Sequence, residues 1–208
     1  MKYELGRVEV HKRKRLPHWN AQHGVYNVRF SLFDALPLAV RAKIRHDADA
    51  QLAHIRAMRG DVTIAERQAI EAWMHAKTGR ALDQSHGLCF MRDARIAQIV
   101  VDAIEYFDEE RYRLFAWCVM PNHVHVVMDS VLQLDNVIHS WKSYTSKEAN
   151  KLLRRVGHFW QDDYYDHCIR DAAELRRTVE YVLNNPEKAG LRDWPFVRAY
   201  PERLAEMM

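Results

Sequence analysis

The stretch Val119-Met120-Pro121-Asn122-His123-Val124-His125-Val126-Val127-Met128 decides the fold class. It is an apolar β-run entered through a Pro-Asn turn, with two histidines separated by one valine. Side chains alternate faces along a strand, so His123 and His125 point one way while Val124 and Val126 point into a core. The apolar neighbours make this a central strand, with the histidine pair expected on an open side of the sheet. The preceding run, Arg111 to Met120, is also a strand. Two strands joined by so short a turn form an antiparallel hairpin.

Outward from this hairpin, the pattern continues in both directions. Val25 to Phe33 alternates β-branched and aromatic residues and is a strand. Asp34 is placed to cap a helix that continues through Leu38, Ile44 and Leu52 until Gly60-Asp61. A second helix is expected from about Thr63 to Lys77, stopped at Thr78-Gly79, and Gly87 to Met91 as a short extended piece. Asp93 opens a helix with Ile96, Ile99, Val100, Ala103, Ile104 and Phe107 on its buried stripe. Downstream, Leu134 to Leu153 is helical, Tyr164 to Arg170 a final strand, and Ala172 to Asn185 a final helix stopped by Pro186. This order predicts an α+β fold, a ferredoxin-like antiparallel sheet with helices on one face. The expected unit is one domain over 1–208, with an irregular basic arm at about 1–22 and a helical insertion at about 37–77.

Composition limits the function classes. The chain has 208 residues, 48% hydrophobic and 28% charged, with a net charge of +3. Such a balance is ordinary for a globular protein and demands no polyanionic partner. The basic residues are nonetheless clustered. Lys12, Arg13, Lys14 and Arg15 stand together near the N-terminus, and Lys142, Lys147, Lys151, Arg154 and Arg155 give the helix after the histidine strand a basic face. Both groups are candidates for phosphate contacts, with a solvated arm the commoner reading of the first and a solvated helix face the plainer reading of the second. Cys89, Cys118 and Cys168 form no C-x-x-C pair, which fits reduced thiols in the cytoplasm. No signal peptide and no apolar run of membrane-spanning length is expected.

A second element carries chemistry. In Glu180-Tyr181-Val182-Leu183-Asn184-Asn185-Pro186, Tyr181 and Asn185 are four residues apart, hence on one helix face. A divalent ion held by His123, His125 and Asn185 would polarise a phosphodiester, and Tyr181 would attack it in line. Imidazole with an amide oxygen suits Mg2+ or Mn2+, and residue type alone leaves zinc open. Each part also has a plainer reading. A His-x-His pair fits packed core residues, Tyr181 fits an amphipathic core position, and Asn185-Pro186 fits a helix stop. Tyr144, Tyr164 and Tyr165 lack an amide at i+4 followed by proline. Trp141, Phe159 and Trp160 are read either as base-stacking surfaces or as core.

Taken together, the motifs resemble those of a known family. They include Arg15-Leu16-Pro17-His18-Trp19, Tyr106-Phe107-Asp108, Trp117 to His125, His139-Ser140-Trp141-Lys142-Ser143-Tyr144-Thr145, Phe159-Trp160-Gln161, Ile169-Arg170-Asp171 and Tyr181 to Leu191. From about Lys14 to Pro201 the chain resembles the REP-associated tyrosine transposases, relatives of the single-tyrosine HUH transposases. The resemblance implies a ferredoxin-like core, a divalent metal, and cleavage of single-stranded DNA beside a short hairpin through a 5′-phosphotyrosine. It implies His123 and His125 as metal ligands, Tyr181 as nucleophile, and Asn185 as the residue completing the metal site. REP-like palindromes are the implied partner, with a nucleoid-associated cytoplasmic location and a monomer or homodimer. Two other functions fit the same residues: a catalytically silent hairpin-binding protein, and a phosphodiesterase using a metal-bound water.

Overall fold

The computed structural model describes residues 9–13, 16–20 and 24–207, with side chains from residue 24 onward. Five antiparallel strands form the main sheet, in the order β6-β3-β5-β4-β7. They are β3 (Gly24–Ser31), β4 (Tyr112–Val119), β5 (His123–Ser130), β6 (Tyr165–Cys168) and β7 (Val197–Ala199). With α3 (Ala94–Glu105) and α4 (Leu134–Leu152), the run β3-α3-β4-β5-α4-β6 places its first strand between its third and fourth. That is the ferredoxin-like arrangement expected from the sequence.

The β4–β5 hairpin closes where the sequence predicted, with the Met120 N–H donating to the His123 carbonyl at 2.8 Å around Pro121-Asn122. One face of the sheet carries the larger core. Val28, Phe30, Leu114, Val124, Val126 and Met128 pack there against Ile96, Val100 and Ile104 of α3 and Val137, Ile138 and Trp141 of α4. Trp141, Phe159 and Trp160 are buried in this core, so packing is their role. The polar tips are satisfied: Trp141 Nε1 donates to the Tyr112 hydroxyl, and Trp160 Nε1 to Thr145 Oγ1.

The opposite face is covered too. Helix α5 (Ala172–Leu183) lays Leu175, Val179 and Val182 against Val25, Phe115, Cys118 and Val127. The helix layer expected on one face is thus α3 with α4, and α5 adds a layer over the histidines.

Several boundaries differ from expectation. The arm at about 1–22 was expected to be irregular, yet β1 (Glu9–Arg13) pairs antiparallel with β2 (Leu16–Asn20). Ladder bonds are made by the main chain, so a run of basic side chains does not forbid them. Asp34 does not cap α1 (Leu38–Arg59), whose N-cap is Pro37. Its carboxylate instead accepts the Leu88 N–H at 2.7 Å, which pins the segment around Gly87 against the end of β3. There Gly87 has a φ of 85°, and a Cβ would lie 2.6 Å from the Asp34 carbonyl oxygen. The piece expected to be extended, Gly87 to Met91, runs into a 3-10 turn at Phe90–Arg92.

Helix α2 (Ile64–Asp83) starts at Thr63 with a capping box to Glu66 and continues through Thr78-Gly79. The C-terminal end also departs from expectation, because α6 (Asn185–Lys188), β7 and α7 (Pro201–Glu206) follow α5. Among the described residues, no helix is long and apolar enough to cross a membrane.

Candidate active site

Strand β5 is central, with Arg29 of β3 and Cys118 of β4 as the register partners of His125. His123 and His125 share a face, their ring centroids 4.9 Å apart and their planes at 78°. The sequence placed that face toward an open side. In the structure the two residues are 1% and 0% exposed. Alternation fixes which face a side chain takes but not what later chain lies above it. Here that chain is α5, whose Tyr181 ring stands edge-on to His125 at 5.6 Å.

The tautomer of His123 follows from its neighbour. The Asn122 amide nitrogen donates to the carbonyls of Leu82 and His86, at 3.3 and 3.1 Å. Carbonyls only accept, so this fixes the orientation of the amide and leaves Oδ1 as an acceptor. His123 Nδ1, 2.7 Å from that oxygen, must then carry the proton. Its Nε2 is left as a bare lone pair, the form in which imidazole binds a metal. Asn122 thus fixes the His123 tautomer, a contact that the sequence reading missed. Asn122→Ala is expected to weaken Mn2+ binding by about 10–100-fold, the usual loss for a residue that orients a ligand. Titration calorimetry measures this, and unchanged affinity would remove Asn122 from the site.

Tyr181 and Asn185 meet differently from the way the sequence suggested. Helix α5 begins at Asp171, whose side chain accepts the Glu174 N–H, and ends at Leu183. Asn185 opens the short α6 rather than closing α5. Its Nδ2 donates back to the Tyr181 carbonyl at 2.6 Å, which restores the i to i+4 relation and turns Oδ1 the other way. Asn185 is completely buried.

Four donor atoms here have no hydrogen-bond partner and no solvent: His123 Nε2, both ring nitrogens of His125, and Asn185 Oδ1. An unsatisfied buried polar atom costs about 1–3 kcal/mol. A divalent cation accepted by imidazole nitrogen and amide oxygen would relieve that cost, and the residues present fit one. Among the described residues no cluster of three His, Cys, Asp or Glu could hold a metal, so a third ligand from these residues must be of another type. Burial holds the His123 pKa down at about 3 and the His125 pKa well below its ordinary value. Both rings are thus neutral and ready to ligate at physiological pH.

The surroundings of the Tyr181 hydroxyl were not predicted. Gly79 of α2 lies so close that a Cβ there would sit 3.2 Å from Arg29 Nη1 and 3.5 Å from the Tyr181 hydroxyl oxygen. The glycine read as a helix stop is instead a point of close approach. Arg29 is 5% exposed, donates from Nη1 to the His75 carbonyl at 3.3 Å and lies 5.5 Å from the Tyr165 ring centre. Lys188 Nζ stands 4.4 Å from the centre of the Tyr181 ring. Burial raises the Tyr181 pKa, while the Arg29 charge opposes that rise. A lone arginine within the apolar strand Val25–Phe33 was the one available signal, since arginine is rarely buried without a reason.

The phosphate-contact candidates divide. Lys142 donates to the carbonyls of Gln161 and Asp162, at 2.5 and 2.8 Å, so it clamps a loop rather than reaching outward. Arg155 is engaged as well, donating to the His158 carbonyl and lying over Phe33 and Phe90. Lys147 and Arg154 are exposed. The side chains of Lys12, Arg13, Lys14 and Arg15 lie outside the described residues.

A ferredoxin-like sheet with a His-x-His strand under a tyrosine helix defines a class. Residues 93–185, from the N-cap of α3 to Asn185, match the family described as "Transposase IS200 like". This match is narrower than the span from Lys14 to Pro201 over which the motifs were read.

The chain is similar to the REP-associated tyrosine transposase of Escherichia coli K12, 28% identical over 90 residues, 41% of this chain and 53% of that protein. It is also 27% identical over 112 residues to a Haemophilus influenzae protein provisionally named a REP-associated tyrosine transposase, covering 46% of this chain and 64% of the relative. The matched segments thus cover less than two thirds of either relative. A solved REP-associated tyrosine transposase bound to a REP hairpin superposes with a TM-score of 0.46 at 16% identity, covering 89% of this chain and 82% of that one. The family match is carried by the segment that holds the histidines, Tyr181 and Asn185.

Proposed function

We propose that the protein is a metal-dependent endonuclease and strand transferase for single-stranded DNA beside a hairpin, with Tyr181 as nucleophile. The observation that carries this reading is the set of partnerless buried donors, His123 Nε2, the His125 ring nitrogens and Asn185 Oδ1, gathered around one tyrosine. His123, His125 and Asn185 would hold Mg2+ or Mn2+, which when bound supplies Lewis-acid polarisation of the scissile phosphate.

The protein's own residues do the rest. Asn122 holds His123 in its ligating tautomer. The Asn185 amide ties the end of α5, and so the Tyr181 backbone, to the metal side of the site. The Tyr181 oxygen bonds to phosphorus as the bond from phosphorus to the 3′-oxygen breaks. The phenolic proton ends on that 3′-hydroxyl, leaving a 5′-phosphotyrosine whose bond energy is kept for rejoining. A cytoplasmic, nucleoid-associated protein acting on REP-like palindromes fits this chemistry.

The test is incubation with a single-stranded hairpin oligonucleotide and Mn2+, read on a denaturing gel. The native protein is expected to form a denaturant-resistant protein–DNA band, and Tyr181→Phe to form none. Cleavage that survives in Tyr181→Phe would sink the nucleophile assignment in favour of a metal-bound water. Tight hairpin binding without cleavage by the native protein would mark a binding protein instead.

A further inference from the structure

We infer that Arg29 is a positioning residue of this site, a fixed buried cation facing the Tyr181 oxygen where negative charge gathers during phosphoryl transfer. The inference rests on the phosphotyrosine reading above and adds a residue to it. Arg29 belongs to β3, beside His125 in register and on the histidine face. Its guanidinium and the Tyr181 hydroxyl converge over the same point of Gly79, 3.2 and 3.5 Å from the place a Cβ would take. A side chain at position 79 would intrude between α2 and this pair, so the glycine keeps that space free.

Among the described residues, the groups around Arg29 include no close anion. The packed neighbours are the His75 carbonyl, the Tyr165 ring and the Tyr181 phenol. His75 and His125 stand beside it as neutral rings, and the exposed Lys188 lies across the tyrosine. Asp83 is the acidic residue whose field reaches Arg29, yet no carboxylate lies within ion-pair distance of the guanidinium among the described residues. A buried cation normally takes a carboxylate partner, because desolvation otherwise outweighs its attractions. Burial lowers the Arg29 pKa only to about 10, so it stays charged at neutral pH. Among the described residues this is a charge held without a resident counterion, next to a nucleophile whose reaction generates one.

Catalysis gains from such an arrangement because the cation is already desolvated and oriented when charge develops. As the phenol gives up its proton and its oxygen joins phosphorus, the guanidinium stabilises the negative charge carried by that oxygen. It does so without moving and without exchanging a proton. Lys188, exposed to solvent, cannot supply the same preorganised field.

The test compares native protein, Arg29→Met and Arg29→Lys for the single-turnover rate of adduct formation with Mn2+ and hairpin DNA, and for thermal midpoint. Arg29→Met is expected to slow adduct formation by about 100-fold or more at saturating DNA, the scale of one lost preorganised charge contact. Its half-saturating DNA concentration should stay within about threefold, and its thermal midpoint should be unchanged or higher, since an unpaired buried charge is gone. Arg29→Lys should recover part of the rate.

A lowered midpoint in Arg29→Met, a loss confined to half-saturation, or a rate within about threefold of native would overturn the role. A native protein that forms no adduct would instead refute the transferase reading, and Arg29 as part of that chemistry with it.

Discussion

Between about pH 6.5 and pH 4 the metal-free protein is expected to lose stability steeply and unfold cooperatively. Three histidines cause this, His123 and His125 buried and His75 half-buried. In the fold, His75 and His123 have pKa values held down at about 2 and about 3, and His125 lies well below its ordinary value. Burial is the largest cause for each, and the Arg29 charge adds to it. In the unfolded chain the same residues titrate near about 6.5. Below that value the unfolded state binds protons that the native state refuses, so stability, complete above about pH 6.5, falls with pH until the folded values are reached.

Each histidine contributes up to about 1.4 kcal/mol per pH unit, and three give about 4. Against a reserve at the low end of the ordinary range, about 5 kcal/mol, the midpoint should lie near pH 5, and a larger reserve moves it lower. Urea midpoints measured from pH 8 to pH 4 would show the slope, and a flat profile would mean that the histidines are solvated.

The second large effect is stabilisation by metal. Divalent ion bound to the fold but not to the unfolded chain adds about 2.7 kcal/mol at 100 times its dissociation constant. For a chain of this size that raises the thermal midpoint by about 5–10 °C. Mn2+ is expected to give such a shift in native protein and none in His125→Phe.

The metal-free His125→Phe protein should be no less stable than native, because it replaces two partnerless buried nitrogens with a ring of similar volume. Differential scanning fluorimetry with and without EDTA reads both results. A full Mn2+ shift in His125→Phe would remove His125 from the ligand set.

What the sequence revealed depended on how local the signal was. Strand β5 was legible because its alternation, its Pro-Asn turn and its preceding strand lie within a few residues of one another. Helix α3 was legible from Asp93 and a clean apolar stripe. Tyr181 and Asn185 were legible as a spacing, though the chain reaches it through a helix end and a side-chain bond rather than one continuous helix.

The misreadings share a cause. Gly79 and Asp34 carry strong local meanings, a stop and a cap, but each takes its role from residues distant in sequence: Arg29 and Tyr181 for one, Leu88 for the other. The cover over the histidines and the charge beside Tyr181 are tertiary facts of the same kind. Strand β7 has only three residues, too few to show a period.

The strand pairing also sets when the site can exist. Strand β3 is made early, yet Ser31 pairs with His123 and Tyr26 with Cys168, so its hydrogen-bond partners leave the ribosome much later. Such distant pairings form slowly because the intervening chain must first be closed into a loop. The helix that brings Tyr181 to His125 is later still. A nascent chain therefore carries its histidines before Tyr181 can stand beside them. The order of the chain delays the assembly of the site until the fold that confines it is in place.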